Sequence, residues 1–134
     1  MTRIEELKQG FGEHDFAKLL GVELEKLEVG IAEVSAIVTQ EMLITQGIAQ
    51  GGVAFSIADF AGVYAAMSRI PAGHTPLASI DGGKYYAPFR LGEKISAHAH
   101  VGAEDTRSLH VIVEVFCGLE KRNHFTLCFA KPKE

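Results

Sequence analysis

The sequence has little of what stabilises small secreted domains and zinc modules. It contains only two cysteines in 134 residues, Cys117 and Cys128, and no Cys-x-x-Cys pair. Two cysteines do not make a disulfide framework, and these two lack the paired spacing typical of a zinc site. We therefore expect two reduced thiols in strands, no metal site and a cytoplasmic protein.

An excess of basic residues and long apolar runs are missing too. The net charge is -4 and the pI about 5.9, which argues against a nucleic-acid partner. The longest apolar run, about fifteen residues, is interrupted by Asp59 and is too short to span a bilayer. The N-terminal segment MTRIEELKQGFGEHDF has no apolar stretch of the kind found in secretory signals. We expect neither nucleic acid nor membrane as a partner.

What is present is enough for a core: 47% of the 134 residues are hydrophobic, which favours a single domain over residues 1–134. Ile4–Leu20 reads as a helix or helical pair. Alternating residues around Gly30 predict two antiparallel strands. An apolar helix is expected from Gly52 to Arg69, followed by the breaker IPAGHTP and three or four strands, with a bulge or a close backbone approach at Gly82-Gly83. Tight turns are expected at Leu91–Glu93, Glu104–Thr106 and Glu120–Asn123.

This order predicts an α+β fold in which one sheet covers one helix. The helix is apolar on nearly every face, and a single sheet covers only one side of it. A second copy of the chain is the natural cover for the other side, so we expect a dimer.

Asp59 lies in the middle of this apolar helix. An unpaired buried carboxylate costs several kcal/mol, or its pKa rises. Two interpretations remain open: Asp59 is exposed or satisfied by a structural partner, or it is retained as a base or nucleophile.

The pair Gly51-Gly52 stands at the expected helix N-terminus, where free N–H groups and the helix dipole favour an oxyanion. Glycines allow a ligand oxygen to approach the backbone closely, or merely permit a tight entry turn. Gly51 and Asp59 are about 12 Å apart along one helix at ~1.5 Å per residue. A single ester group cannot reach both, but two antiparallel helices bring Asp59 of one chain opposite Gly51 of the other.

The segment GIAQGGVAFSIADFAGVYAA resembles the hotdog-fold acyl-CoA thioesterases of the phenylacetate-degradation (PaaI-like) type. Their pattern is His-Gly-Gly followed, after six residues, by a small or apolar residue and Asp. The flanking segments DFAKLLGVELEKLEVGIAEV and SIDGGKYYAPFRLGEKISAHAHV are similar to the family in the same order. The resemblance implies a hotdog fold, in which a curved antiparallel sheet of five or six strands wraps the helix, and a homodimer or homotetramer.

The resemblance also implies roles for individual residues. Asp59 matches the carboxylate that acts as base or nucleophile on a thioester carbonyl, and Gly51 matches the backbone N–H donor to that carbonyl, across a dimer interface. Ser79 matches a residue that orients the attacking water in some members. The implied substrate is an acyl-CoA, with no cofactor and no metal.

Two positions depart from the family pattern. Gln50 stands in place of the His of His-Gly-Gly, and Ile44 in place of an Asn six residues earlier. Gln50 can donate and accept hydrogen bonds, so it is expected to replace the orienting role of the imidazole, although it cannot protonate a leaving thiolate.

Binding of CoA requires cations and close backbone approach, for which the candidate substrate-binding residues are Gly52, Lys84, Arg90 and Arg107. Ordinary surface charge is the alternative for each of the three cations. A non-catalytic CoA- or acyl-binding protein of the same fold is the alternative, because Gln50 and Ile44 displace polar groups. A hydratase is disfavoured, because no His follows Asp59 before His74. His98 and His100 on one strand are read as a solvated face.

Overall fold

The structure, a computed structural model, describes residues 1–133 and contains one six-stranded antiparallel sheet. The strands in chain order are β1 (Glu23–Glu28), β2 (Ile31–Ile37), β3 (Ala78–Tyr85), β4 (Lys94–Glu104), β5 (Ser108–Cys117) and β6 (Glu120–Ala130). Their order across the sheet is β1-β2-β4-β5-β6-β3. The strand that follows the apolar helix, β3, therefore lies at one edge of the sheet.

Three α-helices accompany the sheet: α1 (Arg3–Gly12), α2 (Asp15–Leu20) and α3 (Gly51–Met67). Thr2 and Glu5 form a reciprocal capping box at the start of α1. His14 caps α2, and Gly21 ends it with a left-handed backbone, φ 69°. A short 3₁₀ turn at Gln40–Met42 precedes α3.

The core lies between α3 and the inner face of the sheet. Alternate residues of β5 are fully buried, and α3 packs against β2, β4 and β5 with small residues such as Ala58 and Ala61. Gly62 allows the closest approach, since a Cβ there would lie 2.7 Å from Leu127 Cδ1. The outer residues of the strands alternate with these core residues and face away from α3.

The predicted α+β architecture is confirmed, with six strands and a helical pair at the N-terminus. Helix α3 begins one residue earlier than expected and ends two residues earlier. The expected bulge in β3 is present as a register shift between Ile80 and Gly82. The predicted turn at Glu120–Asn123 was wrong: these residues begin β6, and the turn falls at Gly118-Leu119, where Gly118 has φ 60°.

No helix within residues 1–133 is both long and apolar enough to cross a bilayer. Both cysteines are free, with Cys117 at the end of β5 and Cys128 in β6. His98 and His100 are exposed on β4, as expected for a solvated face. The division into a single domain and the cytoplasmic location stay predictions.

Candidate active site

The N-terminus of α3 presents free backbone donors. Gly51 and Gly52 are its first two residues, both exposed, and the side chain of Gln50 does not cap them. Within residues 1–133, no group accepts a hydrogen bond from either glycine amide. On the other side of this turn, Tyr85 Oη donates to the Gly51 carbonyl at 3.0 Å. The helix entry is thus held in place from β3 while its N–H groups point to solvent.

Asp59 lies two turns further along α3, half-buried, on the helix face that the sheet does not cover. No side chain or backbone group of residues 1–133 forms a hydrogen bond or ion pair with its carboxylate. Burial raises the pKa of the Asp59 carboxyl above its ordinary value, because the apolar surroundings disfavour the charged form. The interpretation of Asp59 as structurally satisfied is therefore not supported by any contact.

A cavity of about 290 Å³ opens on Asp59. Its wall is mostly apolar and aromatic, and includes Phe55, Phe60, Tyr64 and Met67. Three aromatic residues of α3, Phe55, Phe60 and Tyr64, are thus in its lining, whereas Tyr85 packs at the glycine turn instead. The cavity thus combines a mostly apolar lining with one partly desolvated carboxylate, the composition typical of small-molecule sites.

His14 also lines this cavity, and sequence reasoning missed it. It precedes α2, where its Nδ1 accepts from the Ala17 N–H at 3.4 Å, and its ring lies edge-on to Phe60 with centroids 5.1 Å apart. Since Nδ1 is the acceptor, the neutral ring carries its proton on Nε2. The only available signal was an N-cap position ahead of an apolar helix in GEHDF, which says nothing about the cavity.

The remaining predicted catalytic residues lie apart from the cavity. Gln50 is exposed ahead of α3, where its backbone N–H donates to Met42 O at 2.9 Å. Ile44 is in the preceding loop. Ser79 is in β3, opposite Cys128, and its Oγ donates to Asp81 at 3.4 Å. Neither Gln50 nor Ser79 lines the Asp59 cavity of the same chain.

The predicted phosphate-binding cations fall into two places. Lys84 is in β3 with its Nζ 5.4 Å from the Tyr86 ring centroid. Arg90 forms an isolated bridge with Ile48, in the loop that leads to Gly51. Both therefore lie near the N-terminal end of α3. Arg107 lies beyond the other end of the helix, in the turn between β4 and β5.

Arg107 belongs to a large cleft of about 1120 Å³ that we call the basic cleft. Glu104 pairs with two of its cations, Arg69 at 3.6 Å and Lys131 at 2.6 Å. Arg107 itself forms no ion pair with any residue in 1–133. The lining of the basic cleft consists of Arg69, Ile70, Pro71, His74, Thr106, Arg107, Ala130, Lys131, Pro132 and Lys133. His74 and Arg69 are close in sequence to Thr75 and Met67 of the Asp59 cavity, so the two spaces adjoin.

Edge strand β3 is exposed along its whole length, including Ile80, which is 61% exposed. Its free side presents unpaired backbone groups and apolar side chains, a combination typical of strands that pair with another chain. The β3 edge and the uncovered face of α3 are thus two surfaces that a second chain could cover.

A comparison of the sequence with protein-family models assigns the chain to a known family. A family model of the thioesterase superfamily matches residues 46–121, more than half of the chain and the whole of α3. The chain belongs to this superfamily, and it is a thioester hydrolase by that membership.

Solved structures agree with the family. A mutant of the phenylacetic acid degradation protein PaaI from Thermus thermophilus is 27% identical, with a TM-score of 0.82 over 89% of this chain and 100% of that one. The fold alone is shared with PaaI of Escherichia coli, 23% identical, with a TM-score of 0.84 over 98% of this chain and 94% of that one. A Streptococcus mutans protein bound to acetyl CoA also shares the fold. It is 20% identical, with a TM-score of 0.74 over 84% of this chain and 90% of that one.

These neighbours confirm the predicted hotdog fold and the PaaI-like resemblance. No curated protein matches the chain significantly in sequence. The catalytic and substrate-binding residues expected from the sequence stay predictions.

Proposed function

We propose that the protein hydrolyses acyl-CoA thioesters, with Asp59 as the base or nucleophile. The observation that carries this proposal is the unpaired Asp59 carboxylate in a mostly apolar cavity within a thioesterase fold. As a base, Asp59 takes a proton from water while the hydroxyl adds to the thioester carbonyl. As a nucleophile, it adds to the same carbonyl and water later cleaves the mixed anhydride. Both routes expel the CoA thiolate.

The oxyanion formed in either route requires donors, and the free amides of Gly51 and Gly52 are suited to it. Within one chain, Gly51 and Asp59 are about 12 Å apart at ~1.5 Å per residue, too far for one carbonyl. Antiparallel pairing of two α3 helices places Asp59 of one chain beside Gly51 of the other. The site is then completed by a homodimer, which also covers the exposed face of α3 and the β3 edge.

The same pairing explains the two groups of cations. An antiparallel partner brings its own Arg90 end towards the basic cleft of the first chain. Arg107 and its neighbours would then hold CoA phosphates from one side, with Lys84 and Arg90 of the second chain on the other. The Streptococcus mutans neighbour bound to acetyl CoA supports a CoA thioester as the ligand class.

His14 supplies an imidazole that the Gln50 position lacks. It lines the Asp59 cavity, and its Nε2–H is free of the helix-capping contact that occupies Nδ1. We assign it proton donation to the departing thiolate, or to the bound water network. Because a thiolate is already a good leaving group, this contribution is smaller than that of Asp59.

A binding protein without turnover is the second candidate. The observation in its favour is that Gln50 and Ile44 replace the family's His and Asn, because Gln50 cannot protonate a thiolate and the Ile44 side chain forms no hydrogen bonds. In this case CoA would occupy the basic cleft and the acyl chain the apolar cavity, with no hydrolysis.

Thiol release from a panel of short, long and aromatic acyl-CoAs separates the two. Hydrolysis is expected in the wild type and should fall about 10²–10⁴-fold in Asp59→Asn, as for loss of a general base. Asp15→Asn, an exposed carboxylate at the start of α2, is the matched control and should keep wild-type rates. Turnover equal in Asp59→Asn and wild type contradicts the mechanism, and binding without any turnover in the wild type favours the second candidate.

A further inference from the structure

Three metal-ligating side chains converge on the outer face of the sheet, away from α3. They are Asp81 on β3, Cys128 on β6 and His110 on β5, three strands that lie side by side. His110 Nε2 lies 3.9 Å from Cys128 Sγ, and His110 Nδ1 lies 3.8 Å from Asp81 Oδ2. One ligand atom from each of the three residues lies within 4.8 Å of the other two.

The β3 bulge brings the carboxylate into this cluster. Ser79 pairs with Cys128 in register, but the pairing shifts between Ile80 and Gly82, at Asp81. Such a bulge adds one residue to the strand and re-aims its side chain. Asp81 therefore reaches across β6 to His110, although the two strands that carry them are not neighbours.

Two serines support the ligands from outside. Ser79 Oγ donates to Asp81 Oδ1 at 3.4 Å, and Ser108 Oγ lies 3.5 Å from His110 Nε2. Outer contacts of this kind orient metal ligands in established sites. None of the five residues lines the Asp59 cavity or the basic cleft.

We propose that Asp81, His110 and Cys128 bind a divalent transition metal, best matched by Zn²⁺. One thiolate, one imidazole and one carboxylate are ligands that zinc accepts, at about 2.0–2.3 Å each. Tetrahedral bonds of these lengths place ligand atoms about 3.3–3.7 Å apart. Side-chain rotations that close the present distances by about 1 Å form the site, and solvent fills the fourth position.

A thiol–imidazole–carboxylate relay for nucleophilic attack fits this geometry less well. In a relay the ring stands between the thiol and the carboxylate, with one nitrogen on each. Here Cys128 Sγ lies nearest Nε2 and Asp81 Oδ2 nearest Nδ1, but the distance of 3.8 Å from Asp81 to Nδ1 is too long for the hydrogen bond that a relay needs. Cys128 Sγ and a carboxylate oxygen of Asp81 also lie within 4.8 Å of each other. Their proximity favours a shared ion over a relay.

Metal binding at this position has a structural consequence. It would tie the exposed edge strand β3 to β5 and β6 on the outer face, while hydrogen bonds tie it to β6 alone. A ligand that binds only the folded chain raises its stability. The proposal concerns a site outside the thioester chemistry and is independent of the proposed function.

Titration of the full chain with Zn²⁺ alone, and with Co²⁺ as a spectroscopic substitute, tests it. Wild type should bind one ion per chain, show the thiolate-to-cobalt charge-transfer absorption and unfold at a higher temperature with zinc. Cys128→Ser and His110→Gln should weaken binding by at least about 10–100-fold, the loss seen when even an outer-shell partner is removed. Cys117→Ser, the matched thiol control, and His98→Gln should bind as the wild type does.

Thermal unfolding without metal verifies that each variant is folded, and Asp81→Asn provides a second ligand variant should either of the others fail to fold. Absence of zinc binding in the wild type overturns the proposal. Binding that is equally strong in Cys128→Ser, or that is lost in His98→Gln instead, also overturns it.

Discussion

At the scale of single residues, Asp59 destabilises the folded chain when it is ionised, but its carboxylate is suited to catalysis. Its carboxylate lacks a partner within residues 1–133, and burial raises its pKa. A carboxyl whose folded pKa is raised destabilises the fold when it is ionised. The penalty is absent below the unfolded pKa, near 3.9, and fully present above the folded value. Such a penalty is typical of functional groups rather than structural ones.

Asp59→Asn should therefore be more stable than wild type at pH 7 while losing activity. The expected gain is about 0.5–2 kcal/mol, the range of single stabilising substitutions. It should shrink as the pH falls through the folded pKa of Asp59, because the wild-type carboxyl then becomes neutral. Denaturant unfolding at neutral and acidic pH measures this, and lower stability of the variant at pH 7 contradicts it.

The pH–rate profile follows from the same shift. The acidic limb of kcat/KM for an acyl-CoA should lie above the ordinary Asp range, because the base works only when ionised. A limb at the ordinary position would indicate that Asp59 is solvated in the working enzyme.

His14→Asn removes the imidazole but keeps a side-chain oxygen that can accept the Ala17 N–H, since Asn is a good N-cap. We expect unchanged thermal stability and a drop in kcat of up to about 10²-fold, at the low end for acid catalysis. The drop should be larger for substrates with poorer leaving groups, such as oxygen esters. Equal rates for both substrate classes in the variant and wild type would rule out proton donation by His14.

The two kinds of site residue differ in how far the sequence could predict them. Asp59 and Gly51 could be predicted because both lie in one helix, at a spacing that the sequence displays directly, and their roles stay predictions. His14 reaches the Asp59 cavity through packing of the segment before α2 against Phe60 of α3. The cluster of Asp81, His110 and Cys128 forms only through the sheet order and the β3 bulge. The prediction of no metal site rested on local cysteine spacing, which says nothing about ligands on three separate strands, and the zinc titration tests it.

At the scale of elements, an ion pair secures the loop between β3 and β4. Arg122 on β6 donates to both carboxylate oxygens of Glu93, at 2.8 and 2.9 Å, and its guanidinium lies 5.1 Å from the Phe89 ring centroid. The Arg90 N–H also donates to Glu93. These bonds hold the pKa of Glu93 at about 2, with the Arg122 hydrogen bonds as the largest cause.

Glu93→Gln should destabilise the fold by about 1.5–3 kcal/mol at pH 7, as for hydrogen bonds to charged groups. The lower end is expected because Glu93 stays partly exposed. Glu120→Gln, which removes a more exposed partner of Arg122, is the control and should change stability by less than about 0.5 kcal/mol.

The stabilisation by Glu93 should decrease as the pH falls. Glu93 has a lowered folded pKa, so its contribution is present above the unfolded pKa, near 4.3, and lost as the pH falls towards about 2. Wild type and Glu93→Gln should therefore converge in stability in strong acid. A difference that persists there would assign the effect to packing instead.

Alternation of apolar residues predicted the strands well, because the inner face of each is buried against α3. The turn at Glu120–Asn123 was misplaced because four polar residues in a row look like a loop. In β6 the first of them face solvent, whereas Asn123 is 1% exposed. The left-handed Gly118 was the better signal for the turn.

At the scale of the whole molecule, the uncovered face of α3 and the exposed β3 edge favour a pair of chains. The sequence predicted that a second copy is needed, because an apolar helix exceeds what one sheet can cover. It could not predict which side chains a partner brings to Asp59, since these depend on how two surfaces dock. The claim that matters most is that each site combines Asp59 of one chain with Gly51 of the other.

Gly51→Pro tests whether the backbone N–H of Gly51 is needed for activity. Proline removes the backbone N–H, adds a ring in its place and is tolerated at the first position of a helix. The preceding Gln50 already has the extended conformation that proline requires, φ -54° and ψ 137°. Gly51→Ala keeps the N–H and is the matched control, with space beside the Tyr85 ring at 3.6 Å.

The most direct test is complementation between two inactive variants. Asp59→Asn and Gly51→Pro chains, each inactive alone, are unfolded together in equal amounts, refolded and assayed for acyl-CoA hydrolysis. Mixed dimers contain one intact site, so about a quarter of wild-type activity per chain should return in a symmetric dimer. If Asp59 and Gly51 act within one chain, no mixed dimer has an intact site, and a mixture as inactive as its parents would contradict the account.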